Sequence, residues 1–191
     1  MLDTLKTFAL AAAIAVPTAT FAQDEAPATQ AEAPAPATDL ATGQPVVPEV
    51  KSETFGDWKV NCQELDGQER CEMTQLLLND DGSPAIEVSL FRVSNQSQVF
   101  AGGTIVAPLG TLLTSQLTIS IDGALGKRYP FAFCLPDGCV ARVGLTEEDV
   151  NGYKKGGKAA VALASVRAPD QVFNFDMSLT GFTAAFDRLP Q

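Results

Sequence analysis

Histidine is absent from the 191 residues. That one absence removes Ser-His-Asp and Cys-His catalysis, imidazole metal ligands and any histidine pH switch. Basic residues are scarce too, with 13 Lys and Arg against 23 Asp and Glu. Affinity for nucleic acid or an anionic membrane comes mainly from Lys and Arg neutralising phosphate, so no nucleic-acid partner is expected. There are four cysteines and no C-x-x-C spacing, which disfavours a thioredoxin-type redox site. No G-x-S-x-G, S-x-x-K, G-x-G-x-x-G or EF-hand loop occurs, and no cofactor is implied. No apolar run reaches the about 20 residues that a bilayer-spanning helix needs.

What is present begins with a leader. Residues 1–22 read as a secretory signal peptide: Lys6 near the start, nine apolar residues from Phe8 to Val16, then Pro17. Thr20 and Ala22 fit the small-residue positions of a signal peptidase site, so cleavage is expected near Ala22, leaving no transmembrane span. Residues 23–54 read as an acidic Ala/Pro-rich linker. Up to Val50 it has no aromatic and no basic residue, and too little apolar side chain to offset the entropy of ordering it. The expectation is a disordered tail ahead of one folded domain over residues 55–191.

From Phe55 the pattern alternates with period two, as half-buried strands do. Trp58, Val60 and Cys62 share one parity; so do Ile86, Val88 and Leu90, and Leu117, Ile119 and Ile121. Tyr129, Phe131, Phe133 and Leu135 are expected on one face, as are Phe173, Phe175, Met177 and Leu179. Turn signals separate these runs at Asp66-Gly67, Asp81-Gly82, Asp122-Gly123, Pro136-Asp137-Gly138 and Pro169-Asp170. Short strands at such spacing predict a mainly β antiparallel sandwich. One short helix is expected after Thr146, with acids at its start and Lys154, Lys155 and Gly156 at its end. A last helical turn is expected from Phe182 to Leu189.

In an exported chain an even cysteine count reads as disulfides. Of the three pairings, the local ones are favoured: Cys62 with Cys71 across an Asp-Gly turn, and Cys134 with Cys139 across Leu135 to Gly138. A four-thiolate zinc site is the competing reading, weakened by the lack of C-x2-C knuckles. Chemistry-bearing residues are otherwise few. Glu147-Glu148-Asp149 and Asp80-Asp81 are better read as a helix start and a turn than as acid and base. Lys127-Arg128 is a compact basic pair that could meet an acidic partner. Tyr153 is an aromatic expected at the surface.

Several segments together resemble the invasion-associated locus B (IalB) family. They are Phe55-Gly56-Asp57-Trp58 with Val60 and Cys62, Cys71-Glu72-Met73-Thr74-Gln75, and Ala107-Pro108-Leu109-Gly110. Ile119 to Gly123, Tyr129-Pro130-Phe131, Gly138-Cys139-Val140-Ala141 and Ser178-Leu179-Thr180-Gly181-Phe182 continue the match. The resemblance implies an immunoglobulin-like β-sandwich in an exported envelope protein of Gram-negative bacteria, mainly alphaproteobacteria. Members in some pathogens are associated with entry into host cells, and the resemblance carries over no catalytic residue. The reading is therefore a periplasmic or secreted, non-enzymatic interaction module with an unknown protein or envelope partner. The alternative is a periplasmic small-ligand carrier or enzyme, which needs a pocket gathering carboxylates with Lys127 or Arg128.

Overall fold

The computed structural model describes residue 43, residues 49–93 and residues 98–190. The expected signal peptide, and all of the expected linker before residue 49 except Gly43, lie outside the described residues. In chain order the strands are β1 (Val50–Phe55), β2 (Trp58–Leu65), β3 (Gln68–Leu78), β4 (Pro84–Arg92), β5 (Ala101–Ala107), β6 (Leu117–Ile121), β7 (Lys127–Tyr129), β8 (Phe131–Leu135), β9 (Gly138–Leu145), β10 (Lys158–Ser165) and β11 (Ala168–Ser178). Helix α1 (Glu147–Lys155) precedes β10, and α2 (Phe182–Arg188) closes the domain. β1 pairs with β2 along its whole length, so residues 50–54 belong to the folded domain and not to the linker.

Two antiparallel sheets result, one ordered β1-β2-β3-β4-β5-β9-β8 and the other β11-β10-β6-β7. Between them lies one core, to which Trp58, Met73, Ile105, Leu117, Val161 and Met177 each contribute fully buried side chains. The alternating apolar positions are what make these segments strands: each puts one parity inward and the other outward. Asp66 and Gly67 both adopt positive φ, at 54° and 74°, as a two-residue hairpin of this twist demands. This is the expected antiparallel β-sandwich.

Helix α1 starts as its sequence dictates. The Thr146 side chain accepts from the Asp149 backbone, and Asp149 reaches back to the Thr146 backbone N–H, a reciprocal capping box. Helix α2 inserts Phe182, Ala185 and Phe186 into the core. Phe182 meets the Trp58 ring edge-on at 5.4 Å and stacks on Tyr153 at 5.4 Å.

Three expectations need correction. Tyr153 is 5% exposed and part of the core, because it sits on the face of α1 that packs on Phe182. Pro169-Asp170 does not form a turn; it lies within β11, and the chain reverses at Val166-Arg167. The run Tyr129, Phe131, Phe133, Leu135 does not share a face. Pro130 separates β7, in the smaller sheet, from β8, in the larger. A register shift then sets Phe131 opposite Ala141 but Phe133 opposite Val140. Ala141 and Val140 are neighbours on β9 and face opposite ways, so Phe131 packs on the core and Phe133 points outward.

Candidate functional site

The two ends of the folded domain meet in one polar clamp. The Trp58 indole donates to the Ser178 carbonyl at 2.9 Å. The Gln75 amide donates to that carbonyl at 3.0 Å, and its oxygen accepts from the Ser178 N–H at 2.8 Å. The Ser178 hydroxyl donates to Asp57 at 2.6 Å, and the Asp57 N–H to the Thr180 carbonyl at 3.1 Å. Gly56 and Gly181 have φ of 57° and 84°. A Cβ on Gly56 would meet the Thr180 carbonyl, and one on Gly181 the Phe55 carbonyl. Phe-Gly-Asp-Trp and Ser-Leu-Thr-Gly-Phe, far apart in sequence, are thus two halves of one structural joint. Their residues are occupied in holding β2, β3 and β11 together.

The four cysteines form two bonds on two hairpins, Cys62–Cys71 and Cys134–Cys139. Each pair is directly cross-strand in register. Their Cα separations of 4.1 and 3.9 Å are shorter than the about 4.4 Å usual minimum. Glu69 lies near the first bond, but sulfurs joined to each other offer no thiolate to a metal. Arg188 donates to Glu53 at 2.7 Å and to Glu69 at 3.1 Å. The Arg188 hydrogen bond holds the Glu69 carboxyl below its usual range.

Lys127 and Arg128 do not form a basic pair in space. Lys127 lies opposite Ile119 and Arg128 opposite Thr118, so their side chains leave opposite faces of β7. Lys127 forms an ion pair with Asp149, which ties β7 to the start of α1. That hydrogen bond raises the lysine above its ordinary pKa. Partial burial pushes Asp149 up, yet bonds from Lys127 and Thr146 outweigh it and leave the carboxyl below its usual range. Arg128 is exposed and makes no ion pair among the described residues.

A groove of about 970 Å³ runs over the β1–β4 side, lined by Ser52, Asn61, Gln63, Arg70, Phe91 and Arg92 among others. It contains neither Lys127 nor Arg128, and none of the Glu147–Asp149 or Asp80–Asp81 carboxylates. A second, shallow depression follows the surface of α1 past Glu147, Glu148 and Lys155. Neither gathers the groups that the carrier or enzyme reading requires.

Three exposed apolar side chains lie at one end of the sandwich. Leu135 is 54%, Leu109 59% and Val166 56% exposed. Register and loop bonds place them at the same end: Leu135 pairs with Gly138, whose neighbour Cys139 pairs with Ala107, two residues before Leu109. The Val166 N–H then donates to the Gly110 carbonyl at 2.8 Å. The loop that presents Leu109 is fixed from below, where buried Thr111 donates to the Pro108 carbonyl at 2.8 Å. On the outer face of the larger sheet a single cross-strand row runs Leu76, Glu87, Val106, Val140, Phe133. The composition concealed this surface, although one signal was legible. Three consecutive leucines, Leu76 to Leu78, cannot all point inward from a strand, so one parity must face out.

The sequence pattern described as invasion associated locus B (IalB) protein matches residues 58–190. The chain belongs to the IalB family. A relative named Invasion protein B homolog, from Brucella abortus (strain 2308), is 31% identical over 138 residues, covering 72% of this chain and 78% of that protein. Invasion protein B of Bartonella bacilliformis is 28% identical over 188 residues, covering 97% and 95%. The crystal structure of invasion associated protein b from Bartonella henselae aligns with a TM-score of 0.64 at 23% identity, over 72% of this chain and 93% of that one. It shares the fold. These relatives carry the names of invasion proteins and not of enzymes. Among the described residues, no helix of this IalB-family chain is long and apolar enough to cross a membrane, and its disulfides accord with an exported protein.

Proposed function

We propose that this IalB-family chain is an exported, non-enzymatic interaction module of the bacterial envelope, cleaved near Ala22 and carried on its acidic linker. One observation carries the reading: Leu109, Leu135 and Val166, each more than half exposed, stand at the same end of the sandwich. An exposed apolar patch on a folded domain marks a protein-binding site, since water contact there is unfavourable until a partner covers it, and we infer that these three side chains contribute to one. The partner is a protein with an apolar face, in the envelope or, in keeping with the names of the relatives, on a host cell. The bonds that fix the loop beneath Leu109 keep the surface preformed, which lowers the entropy cost of docking.

Photo-crosslinking in the intact envelope tests this. A photoreactive residue at Leu109 or Val166 should yield one discrete adduct, and one at Glu64, on the β2–β3 hairpin, should not. Leu109→Asp with Val166→Asp should abolish the adduct at Leu135 while the thermal melt stays within a few degrees. Equal labelling at all positions, or none at the apolar end, would refute the reading.

A further inference from the structure

The groove over the β1–β4 side is at the other end of the larger sheet from Leu109. Phe91 and Arg92 border it and pair with Gly102 and Ala101, at the start of β5, whereas Leu109 follows the end of that strand. The floor of the groove is set by register. Cys62, Cys71 and Met73 face the core, so the alternate residues Lys59, Asn61 and Gln63 of β2, and Arg70 and Glu72 of β3, face out. Ser52, Asn61 and Glu72 form one cross-strand row, and Gln63 and Arg70 a second beside it.

These groups have hydrogen-bonding capacity that the fold does not use. Ser52 donates to the Asn61 carboxamide oxygen at 2.8 Å, which fixes the half-buried amide and leaves both its N–H groups open. Lys59, Arg70 and Glu72 form no ion pair among the described residues, and Glu69 at the edge of the groove is engaged by Arg188. Two free cations therefore stand with one free carboxylate, a positive groove on a chain with 23 acidic and 13 basic residues. The apolar part is one ring. Phe91 is 44% exposed, and the end of its ring takes the space of a side chain at Gly102, 2.7 Å from where a Cβ would stand. That glycine lets the ring lie in against β5 and hold one position beside the polar rows.

We propose that the groove binds an acidic oligosaccharide, one whose sugar rings carry carboxylates. A pyranose has an apolar face of C–H groups and a rim of closely spaced hydroxyls, each both donor and acceptor. The Phe91 ring matches the face. Asn61, Gln63 and Glu72, at cross-strand and next-but-one spacings of about 5–7 Å, supply donors and acceptors for the rim. Arg70 presents a planar fork that takes a carboxylate through two parallel hydrogen bonds. An acidic peptide has no hydroxyl rim for the amides to read, and the groove has no row of apolar pockets for its side chains. A neutral glycan gains nothing from the charges of Lys59 and Arg70. The groove shares no residue with Leu109, Leu135 and Val166, so glycan and protein partner occupy separate surfaces.

Calorimetric titration of the exported chain with a galacturonate hexamer, maltohexaose and hexaglutamate is the test. The expected result is binding of the galacturonate hexamer alone, weakened by added salt. Arg70→Gln and Phe91→Ala should each weaken it about tenfold. Arg70 is exposed and unpaired among the described residues, so Arg70→Gln should melt as the parent does, and it reads the site even where Phe91→Ala loosens the sheet. No binding of the galacturonate hexamer, equal binding of maltohexaose or hexaglutamate, or an affinity indifferent to either substitution would overturn the proposal. Crosslinking at Leu109 is unaffected by any of these outcomes, so the two readings fail separately.

Discussion

Gln75 and Thr111 are the buried polar side chains among the described residues, and each earns its place by bonding backbone that would otherwise be stranded. Gln75 satisfies both the N–H and the carbonyl of Ser178 at the end of β11. Replacing it by Ala leaves the part-buried Ser178 N–H without its partner, while the carbonyl keeps the Trp58 indole, and opens a small void. An unsatisfied group costs about 1–3 kcal/mol, so Gln75→Ala should destabilise the domain by roughly 1–3 kcal/mol, read from urea unfolding. Gln75→Glu tests the same point differently, because a carboxylate accepts from the Ser178 N–H but cannot donate to its carbonyl. Gly181→Ala should be worse than an ordinary surface change: the residue sits at φ 84° with the Phe55 carbonyl where the methyl would go.

At the level of elements, the hairpins and α1 are each held by a local device. The disulfides span sequence separations of 9 and 5, so they constrain only short loops of the unfolded chain. Each should contribute roughly 2–3 kcal/mol. Replacing both members of either pair with Ser should lower the melting temperature and the exported yield while leaving crosslinking at Leu109 intact at low temperature. For α1 the device is electrostatic. The folded Asp149 carboxyl lies below its usual range, so its contribution is present above the unfolded value of about 4 and is lost as pH falls through the lower folded value. Asp149→Asn should therefore reduce the melting temperature near neutrality and leave the acid limb nearly unchanged. Lys127, raised by the same pair, contributes at all pH values below its unfolded range and ceases to do so only as strongly alkaline pH passes its folded value.

The whole molecule depends on its last turn of chain. Phe182, Phe186 and Leu189 are buried, and Arg92 lays its guanidinium over the Phe186 ring at 4.7 Å while donating to the Phe186 carbonyl at 3.2 Å. Losing a buried Phe costs about 3–5 kcal/mol, against a typical domain stability of about 5–15 kcal/mol. Ending the chain at Thr180 should abolish the cooperative thermal transition altogether. A truncated chain that still melted as one unit would show that the sheets close without α2.

Strand positions were legible because alternation is a local consequence of the pleat: Trp58, Val60 and Cys62 had to share a side. The Asp66-Gly67 turn and the Thr146 cap were legible for the same reason, since φ and a capping hydroxyl are decided within a few residues. Export context and cysteine spacing likewise pointed to the two local pairings. Tertiary structure alone decided the rest. Lys127 and Arg128 looked like one patch, and β7 turned them to opposite faces and gave Lys127 to Asp149. Tyr153 looked exposed until Phe182 arrived from the far end of the chain. Phe131 and Phe133 parted company because a register shift on β8 reversed the parity that the sequence implied. The apolar end was hidden because Leu109, Leu135 and Val166 come from separate segments, two connections and the end of β8, that strand pairing places at one end of the sandwich. A surface is a sum over distant segments, and no window of the sequence contains it.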